Sequence, residues 1–172
     1  MSDSVSTASP EPDAVGRLYF EDMTEGTRWV SPRRTITEGD VSAFAGLSGD
    51  FNPLHVDEVY AESGPFGRRV AHGALVFSIA TGLRQQMPIF RGSLRALLEL
   101  RSWRFLAPVH LGDTVTVVTT VASARETSRP DQGIVVQQID VVNQRGDAVQ
   151  SGEMVSLVTR RGGAAIEQIS ED

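Results

Sequence analysis

Asp50 and His55 are the first residues in this sequence whose types and spacing suggest shared chemistry. They lie five positions apart in the segment Ser48–His55. In a regular helix this separation turns the two side chains about 140° apart, and in a strand an odd separation sends them to opposite faces. An irregular turn is needed to aim both at one point. Pro53 favours one, because it fixes its own φ and disfavours the helical region for Asn52.

A carboxylate and an imidazole that converge on a cavity can hold a water molecule between them. One group then accepts a proton while the other delivers one, which is general acid–base catalysis. The spacing alone is a weak pattern, and a structural interpretation stays open beside it. In that interpretation Asp50 ends one helix and His55 satisfies a buried polar group.

The segment Val70–Gly73 is a second candidate, because it precedes the least polar stretch of the chain. The N–H groups in the first turn of a helix have no intrahelical partner, and the helix dipole adds positive potential there. Glycine at position 73 lets a ligand carbonyl approach the backbone, as an oxyanion hole for a thioester enolate requires. The alternative is that Gly73 only permits close packing of the helix on a sheet. His72 is predicted to be a structural or lining residue.

Composition excludes several kinds of site. The chain has no cysteine, so disulfides, thiolate nucleophiles and cysteine-ligated metals are absent. All 16 basic residues are arginine, which also excludes lysine Schiff bases and a Walker A loop. The three histidines lack paired ligand spacing, so we expect no metal site. The net charge of −6 argues against nucleic acid or an anionic membrane as the main partner.

The hydrophobic pattern predicts an α+β fold in which a curled antiparallel sheet surrounds one buried helix. The predicted elements are a strand over 27–36, a helix from the Thr37 cap to Ser48, a short helix from Asp57 to Glu62, a buried helix over 72–87 ended by Pro88, and strands over 97–109, 115–121, 133–144 and 148–159. A change of phase between Leu100 and Trp103 predicts a bulge.

The two ends of the chain are predicted to lie outside the folded domain. Residues 1–16 are rich in Ser, Pro, Asp and Glu and lack the basic start and apolar run of a secretory signal. We therefore expect a disordered tail over 1–16, one domain over 17–161 and a flexible acidic tail over 162–172. No apolar run is long enough for a membrane span, so a cytoplasmic protein is expected.

Three segments together resemble the MaoC-like dehydratases, which include the (R)-specific enoyl-CoA hydratases. They are Gly49–His55, Ala71–Gly73, and Phe105–Val109 followed by Gly112-Asp113. The resemblance runs from about Tyr19 to Val158. It implies a hot-dog fold, with a sheet wrapped around a long central helix, and a role in fatty acid metabolism. It also implies reversible addition of water to a trans-2-enoyl-CoA, giving the (R)-3-hydroxyacyl thioester.

The resemblance assigns a role to individual residues. Asp50 and His55 match the catalytic pair, and Gly73 matches the backbone donor to the thioester oxygen. Asn52 matches the residue that shapes the loop. Thr81 falls where relatives carry a serine that helps to position the pair, and its extra methyl group is expected to narrow the acyl pocket.

The resemblance also implies which partners the protein has. No cofactor is needed, because the thioester supplies the activation, and the substrate is carried by CoA or by acyl carrier protein. A homodimer or a higher oligomer built of dimers is expected, with acyl sites near the interface. The candidates for binding the CoA phosphates are Arg33, Arg34, Arg68, Arg69, Arg91 and Arg104.

Three other functions remain open at this point. A hot-dog thioesterase would hydrolyse the C–S bond instead of hydrating the alkene. A non-catalytic acyl-binding subunit of a heteromeric hydratase would bind thioesters without turnover. A metal-dependent hydrolase is the third alternative.

Overall fold

The computed structural model describes residues 16–87 and 92–163. The predicted terminal tails lie almost entirely outside these ranges, as does Pro88. The elements are a 3-10 turn (Phe20–Asp22), β1 (Arg28–Val30), β2 (Arg34–Thr35), α1 (Glu38–Ser48), α2 (Pro53–Val56), α3 (Glu58–Glu62), α4 (Gly73–Gln85), β3 (Leu94–Phe105), β4 (Thr114–Glu126), β5 (Gln132–Asn143) and β6 (Ala148–Thr159).

One antiparallel sheet dominates the molecule, with the strand order β1-β4-β5-β6-β3, and β2 also pairs with β4. Along most of β4 and all of β5 buried residues alternate with half-buried ones, because successive side chains point to opposite faces. The inward face packs on α4 and forms the main core with it. Residues central to that core are Leu75, Val76, Ile79, Leu83, Val115, Val117, Ile139, Val141 and Met154. The predicted α+β arrangement is confirmed.

Helix α4 is less enclosed than its sequence predicts. Ala74, Ser78, Gly82 and Gln85 are exposed, and their spacing of three to four places them on one side of the helix. The sheet covers the opposite side, where the large apolar residues lie. The predicted burial of this helix is therefore confirmed on the side that the sheet covers and not on the opposite side, where the residues are small or polar.

The first predicted strand, 27–36, is divided into β1 and β2. Pro32 lies between them, and proline has no N–H to donate to a sheet. The bulge predicted near Leu100 is confirmed, since the β3–β6 register shifts between Arg101 and Arg104 and Ser102 has a φ of 50°.

The predicted helix starts are confirmed by their capping bonds. The Thr37 hydroxyl accepts from the Asp40 N–H, and the Asp40 carboxylate accepts from the Thr37 N–H. Asp57 caps α3 by accepting from the Tyr60 N–H. No helix within the described ranges combines the length and apolarity that a membrane span requires.

Candidate active site

The turn between α1 and α2 carries Asp50 and His55, and local bonds fix its shape. Helix α1 ends at Ser48, and Gly49 caps it with a φ of 76°, the left-handed conformation that glycine adopts freely. The Asn52 side chain then caps α2 by accepting from the Leu54 N–H at 3.1 Å, with proline as the first helical residue. The irregular turn predicted at Asn-Pro therefore leads into a one-turn helix that carries His55.

His55 has a defined hydrogen-bonding arrangement. Its Nδ1 lies 2.7 Å from the carbonyl oxygen of Val70. A carbonyl oxygen can only accept, so Nδ1 carries the hydrogen and the neutral ring keeps a lone pair on Nε2. A ring nitrogen in this state is able to accept a proton, as a general base must.

His72 meets both residues of the turn. Its Nε2 donates to the carbonyl oxygen of Asp50 at 2.9 Å. Its ring stacks on the ring of His55, with centroids 3.8 Å apart and planes tilted by 31°. The His72 side chain is 2% exposed, so of the two predicted roles, structural or lining, the contacts fit the structural one.

Asp50, His55 and His72 form one cluster. A carboxylate oxygen of Asp50 and one ring nitrogen of each histidine all lie within 4.8 Å of one another. Asp50 is exposed, whereas His55 is half-buried. The predicted convergence of an acid and an imidazole therefore exists in the structure, with a third side chain beside them.

These three side chains are near enough to hold a metal ion, which the spacing of the histidines in the sequence did not predict. The geometry of the rings makes a poor ligand pair, however. The lone pair with which a histidine binds a metal lies in the plane of its ring. Because the rings of His55 and His72 stack with centroids 3.8 Å apart, their lone pairs point along two separate planes. Acid–base chemistry fits this arrangement better than metal ligation.

The N-terminus of α4 lies beside this cluster. Gly73 is its first residue, and the N–H of Gly73 has no hydrogen-bond partner within residues 16–87 and 92–163. The side chain of His72, the preceding residue, bonds to Asp50 instead of capping the helix. A free N–H at the positive end of a 13-residue helix is suited to an oxygen that gains negative charge.

A cavity of about 510 Å³ opens at the start of α4, and both His55 and Gly73 line it. The rest of its wall is mostly apolar. The other lining residues are Leu54, Phe66, Val70, Ala71, Ala74, Val76, Phe105, Leu106, Ala107, Pro108, Val109 and Gln150. An apolar pocket with a few polar groups at one end is suited to a small acyl group.

Side chains from β3 and β6 fix the position of Gly73. The Gln150 amide donates to the Gly73 carbonyl at 2.9 Å and accepts from the indole N–H of Trp103 at 3.2 Å. The ring of Phe105 packs against Gly73 from another side. Phe105 belongs to a segment that had been singled out, but nothing in the sequence marked Gln150.

Known proteins are similar to this chain over most of its length. The family model for MaoC-like domains matches residues 20–143. The chain belongs to the MaoC-like family. An (R)-specific enoyl-CoA hydratase from Rhodospirillum rubrum is 38% identical over 147 residues, which cover 84% of this chain and 94% of that protein.

Solved structures support the same assignment of the fold. A MaoC-like dehydratase from Rhodospirillum rubrum is 33% identical with a TM-score of 0.75, covering 84% of this chain and 98% of that one. A Mycobacterium tuberculosis protein with a double hotdog fold is 22% identical with a TM-score of 0.74, covering 92% of this chain and 53% of that one. The predicted hot-dog fold is confirmed.

Thr81 is one predicted site residue that this MaoC-like protein does not bring to the cavity. Its hydroxyl donates to the Ser78 carbonyl of its own helix at 2.7 Å. It lies eight residues after Gly73, which is about 12 Å along the helix axis, and it is not a lining residue. No contact described for Thr81 joins it to Asp50 or His55, so its role in positioning the catalytic pair stays a prediction.

The arginine candidates separate into two groups. Arg69 is held by Glu38 and Glu58, and these bonds raise the pKa of the guanidinium. Arg34 is paired with Asp40. Arg33, Arg68 and Arg104 make no ion pair in the described part of the chain, and Arg91 lies outside it.

Proposed function

We propose that this protein reversibly adds water to a trans-2-enoyl thioester, giving the (R)-3-hydroxyacyl thioester. The observation that carries the proposal is a group of three features, of which His55 and Gly73 line the cavity and Asp50 lies beside His55. These are the Asp50 carboxylate, the Nε2 lone pair of His55 and the unpartnered N–H of Gly73. Relatives named as enoyl-CoA hydratases and 3-hydroxyacyl dehydratases support it.

Activation of the substrate is assigned to the start of α4. The thioester carbonyl accepts a hydrogen bond from the Gly73 N–H, where the helix dipole stabilises negative charge. Electron density is thereby drawn from Cβ towards the carbonyl oxygen. No cofactor is proposed, because the thioester itself makes Cβ electrophilic.

Addition of water is assigned to Asp50 and His55. The pair holds a water molecule and takes one of its protons as the oxygen bonds to Cβ. A proton is returned to Cα on the same face, so the protonation of the pair is unchanged after one turnover. The two groups act as one unit, because the atoms that hold the water molecule lie within 4.8 Å of each other.

The test compares three proteins: the parent, Asp50→Asn and His55→Gln. A short trans-2-enoyl-CoA is followed by loss of its conjugated absorbance, with circular dichroism to check folding. Each substitution is expected to lower kcat by about 10²–10⁴-fold, the usual worth of a proton-transfer group. Near-parental rates in either folded variant would refute the assignment.

The same assay separates the alternatives. A thioesterase releases free CoA thiol, which a thiol reagent detects while the absorbance changes. A non-catalytic acyl-binding subunit binds enoyl-CoA and changes neither signal. Chelation followed by metal analysis tests the metal-dependent alternative, and the proposal expects full activity after chelation.

A homodimer formed along β3 is the second part of the proposal. Strand β3 lies at one edge of the sheet, so its outer row of backbone groups is available to another strand. Leu97, Leu98 and Leu100 on this strand are 45%, 51% and 43% exposed. A second copy paired edge to edge would cover them. Sedimentation analysis of Leu98→Arg should show a shift from dimer to monomer, and a parental monomer would refute this part.

A further inference from the structure

Each part of the proposed active site contacts His72. Its side chain reaches Asp50 and His55, and its backbone leads directly into Gly73. We infer that His72 is a positioning residue that holds the acid, the base and the backbone donor in one arrangement. This inference rests on the proposed function and adds a role that the pair and the helix N-terminus do not themselves provide.

The first contact ties the acidic turn to the helix. Asp50 makes its other hydrogen bonds inside its own loop, from the Asp50 N–H to the Ser48 hydroxyl and from the Asn52 N–H to the Asp50 carboxylate, both at 3.2 Å. The bond from His72 Nε2 joins Asp50 to a segment 22 residues away. In the described part of the chain it is the hydrogen bond that fixes this exposed residue relative to α4.

The second contact fixes the plane of the base. The bond from His55 Nδ1 to Val70 anchors one edge of the ring but still permits tilting about that bond. The His72 ring lies 3.8 Å from it, centroid to centroid, and Phe44 packs against His72 at 5.1 Å. The contacts among these three rings therefore restrain the direction in which His55 Nε2 points.

The third contact involves the main chain. The His72 carbonyl accepts from the Val76 N–H at 3.1 Å, and the peptide bond that follows His72 carries the N–H of Gly73. A shift of His72 therefore moves the proposed oxyanion donor. The bond between Gln150 and the Gly73 carbonyl holds the next peptide in the helix.

The residue type fits this role. His72 Nδ1 is buried and has no hydrogen-bond partner within the described residues. A buried polar atom without a partner destabilises a fold. Phenylalanine would avoid that atom but lacks the N–H donor, and glutamine supplies a donor without a flat ring. Histidine has both the ring that stacks on His55 and the N–H that bonds to Asp50. These two contacts explain why a residue with an unpartnered Nδ1 is found at this position.

The experiment removes the two side-chain contacts one at a time. His72→Gln keeps a donor and removes the stack, His72→Phe keeps a ring and removes the donor, and His72→Leu removes both. His110→Gln is the matched control, because His110 is the remaining histidine and its Nδ1 bonds to the Arg69 carbonyl and not to either member of the pair. Rates with a short enoyl-CoA are measured with unfolding temperatures.

We expect Gln and Phe at position 72 each to lower kcat about tenfold, with KM within threefold, because each loses one contact. Leu should lower kcat by more than either, while the control stays within twofold of the parent. Values of kcat within twofold of the parent in all three variants would overturn the inference. So would losses that appear equally in the control, or losses of kcat that only track the unfolding temperature.

A second readout does not depend on turnover. Side-chain nitrogen NMR of His55 reports its tautomer, and ring protons report the stack. Removal of the stack in His72→Leu should shift the His55 resonances, whereas His110→Gln should not. If the parent hydrates no enoyl thioester, the proposed function fails while this spectrum still decides whether His72 orders His55. Unchanged His55 signals in His72→Leu would overturn the inference even in an active enzyme.

Discussion

The ring of Phe105 lies directly against the α-carbon of Gly73. A β-carbon placed on Gly73 would be 2.7 Å from Phe105 Cε1 and 2.8 Å from Cδ1, closer than real contacts allow. The ring belongs to the end of β3, and the glycine begins α4. The packing of β3 on α4 therefore leaves room for a β-carbon at this position only if the Phe105 ring moves.

Gly73→Ala is predicted to separate stability from activity. Phe105 is 63% exposed, so its ring can swing outwards, and alanine gains about 0.5–1 kcal/mol over glycine within a helix. Unfolding temperature should change little, while the new methyl group obstructs the Gly73 N–H and lowers kcat by about 10²-fold or more.

The double variant Gly73→Ala with Phe105→Ala is the control for that substitution. It removes the clash and keeps the obstruction, so it should not recover the rate. Recovery of the parental rate in the double variant would show that the clash, and not access to the N–H, had lowered it.

Asn52→Ala is predicted to weaken the start of α2. The lost cap from Asn52 to the Leu54 N–H destabilises by about 0.5–2 kcal/mol, and His55 on the same short helix loses its fixed position. We expect both the free energy of unfolding and kcat to fall. Serine also caps helices, so Asn52→Ser should restore most of both quantities. Equal activity of the Ala and Ser variants would contradict this role.

Asp113→Asn is predicted to lower stability in a pH-dependent way. Burial alone raises the pKa of Asp113, but hydrogen bonds from Gln144 and the His110 N–H, with Arg145 nearby, lower it below the usual 3.8. A lowered carboxyl pKa stabilises the fold above the unfolded pKa, and this stabilisation is lost as pH falls through the folded pKa.

Urea unfolding at a series of pH values checks this. At pH 7 the Asn variant should lose about 1–3 kcal/mol, because donors that faced a buried carboxylate are left poorly matched. The difference from the parent should narrow as the pH falls below 3.8. Glu25→Gln removes one exposed negative charge and serves as the control. A difference that does not depend on pH would contradict the account.

Arg68 is predicted to contact the phosphates of CoA. It is exposed and lies in the chain between Phe66 and Val70, which line the cavity. Arg68→Ala should raise KM for an enoyl-CoA by about tenfold, the worth of one charge-assisted hydrogen bond. With the N-acetylcysteamine thioester, which has no phosphates, KM should stay unchanged. An equal increase for both substrates would contradict a phosphate contact.

Arg69→Ala is the matched comparison for that experiment. Arg69 joins the starts of α1 and α3 through Glu38 and Glu58. Its loss should lower the unfolding temperature without distinguishing the two thioesters. Loss of Arg68 should therefore change KM for the CoA thioester, whereas loss of Arg69 should change the unfolding temperature.

Much of the fold follows from short-range patterns. The Thr37 and Asp57 caps, the alternation of β5 and the bulge at Ser102 each depend on residues within a few positions of one another. The division of the first strand at Pro32 follows from the missing N–H. The exposure of one side of α4 does not follow from short-range patterns, because it depends on how far the sheet extends around the helix.

The sequence by itself determined an irregular turn at Asn52-Pro53, which Asp50 and His55 need in order to face one point, since the dihedral restrictions of proline act on adjacent residues. Tertiary structure alone decided that His72 would bond to Asp50 across 22 residues and that Gln150 would bond to Gly73 across 77. Those contacts depend on strand register and helix packing, which join residues that carry no mark of each other in the chain.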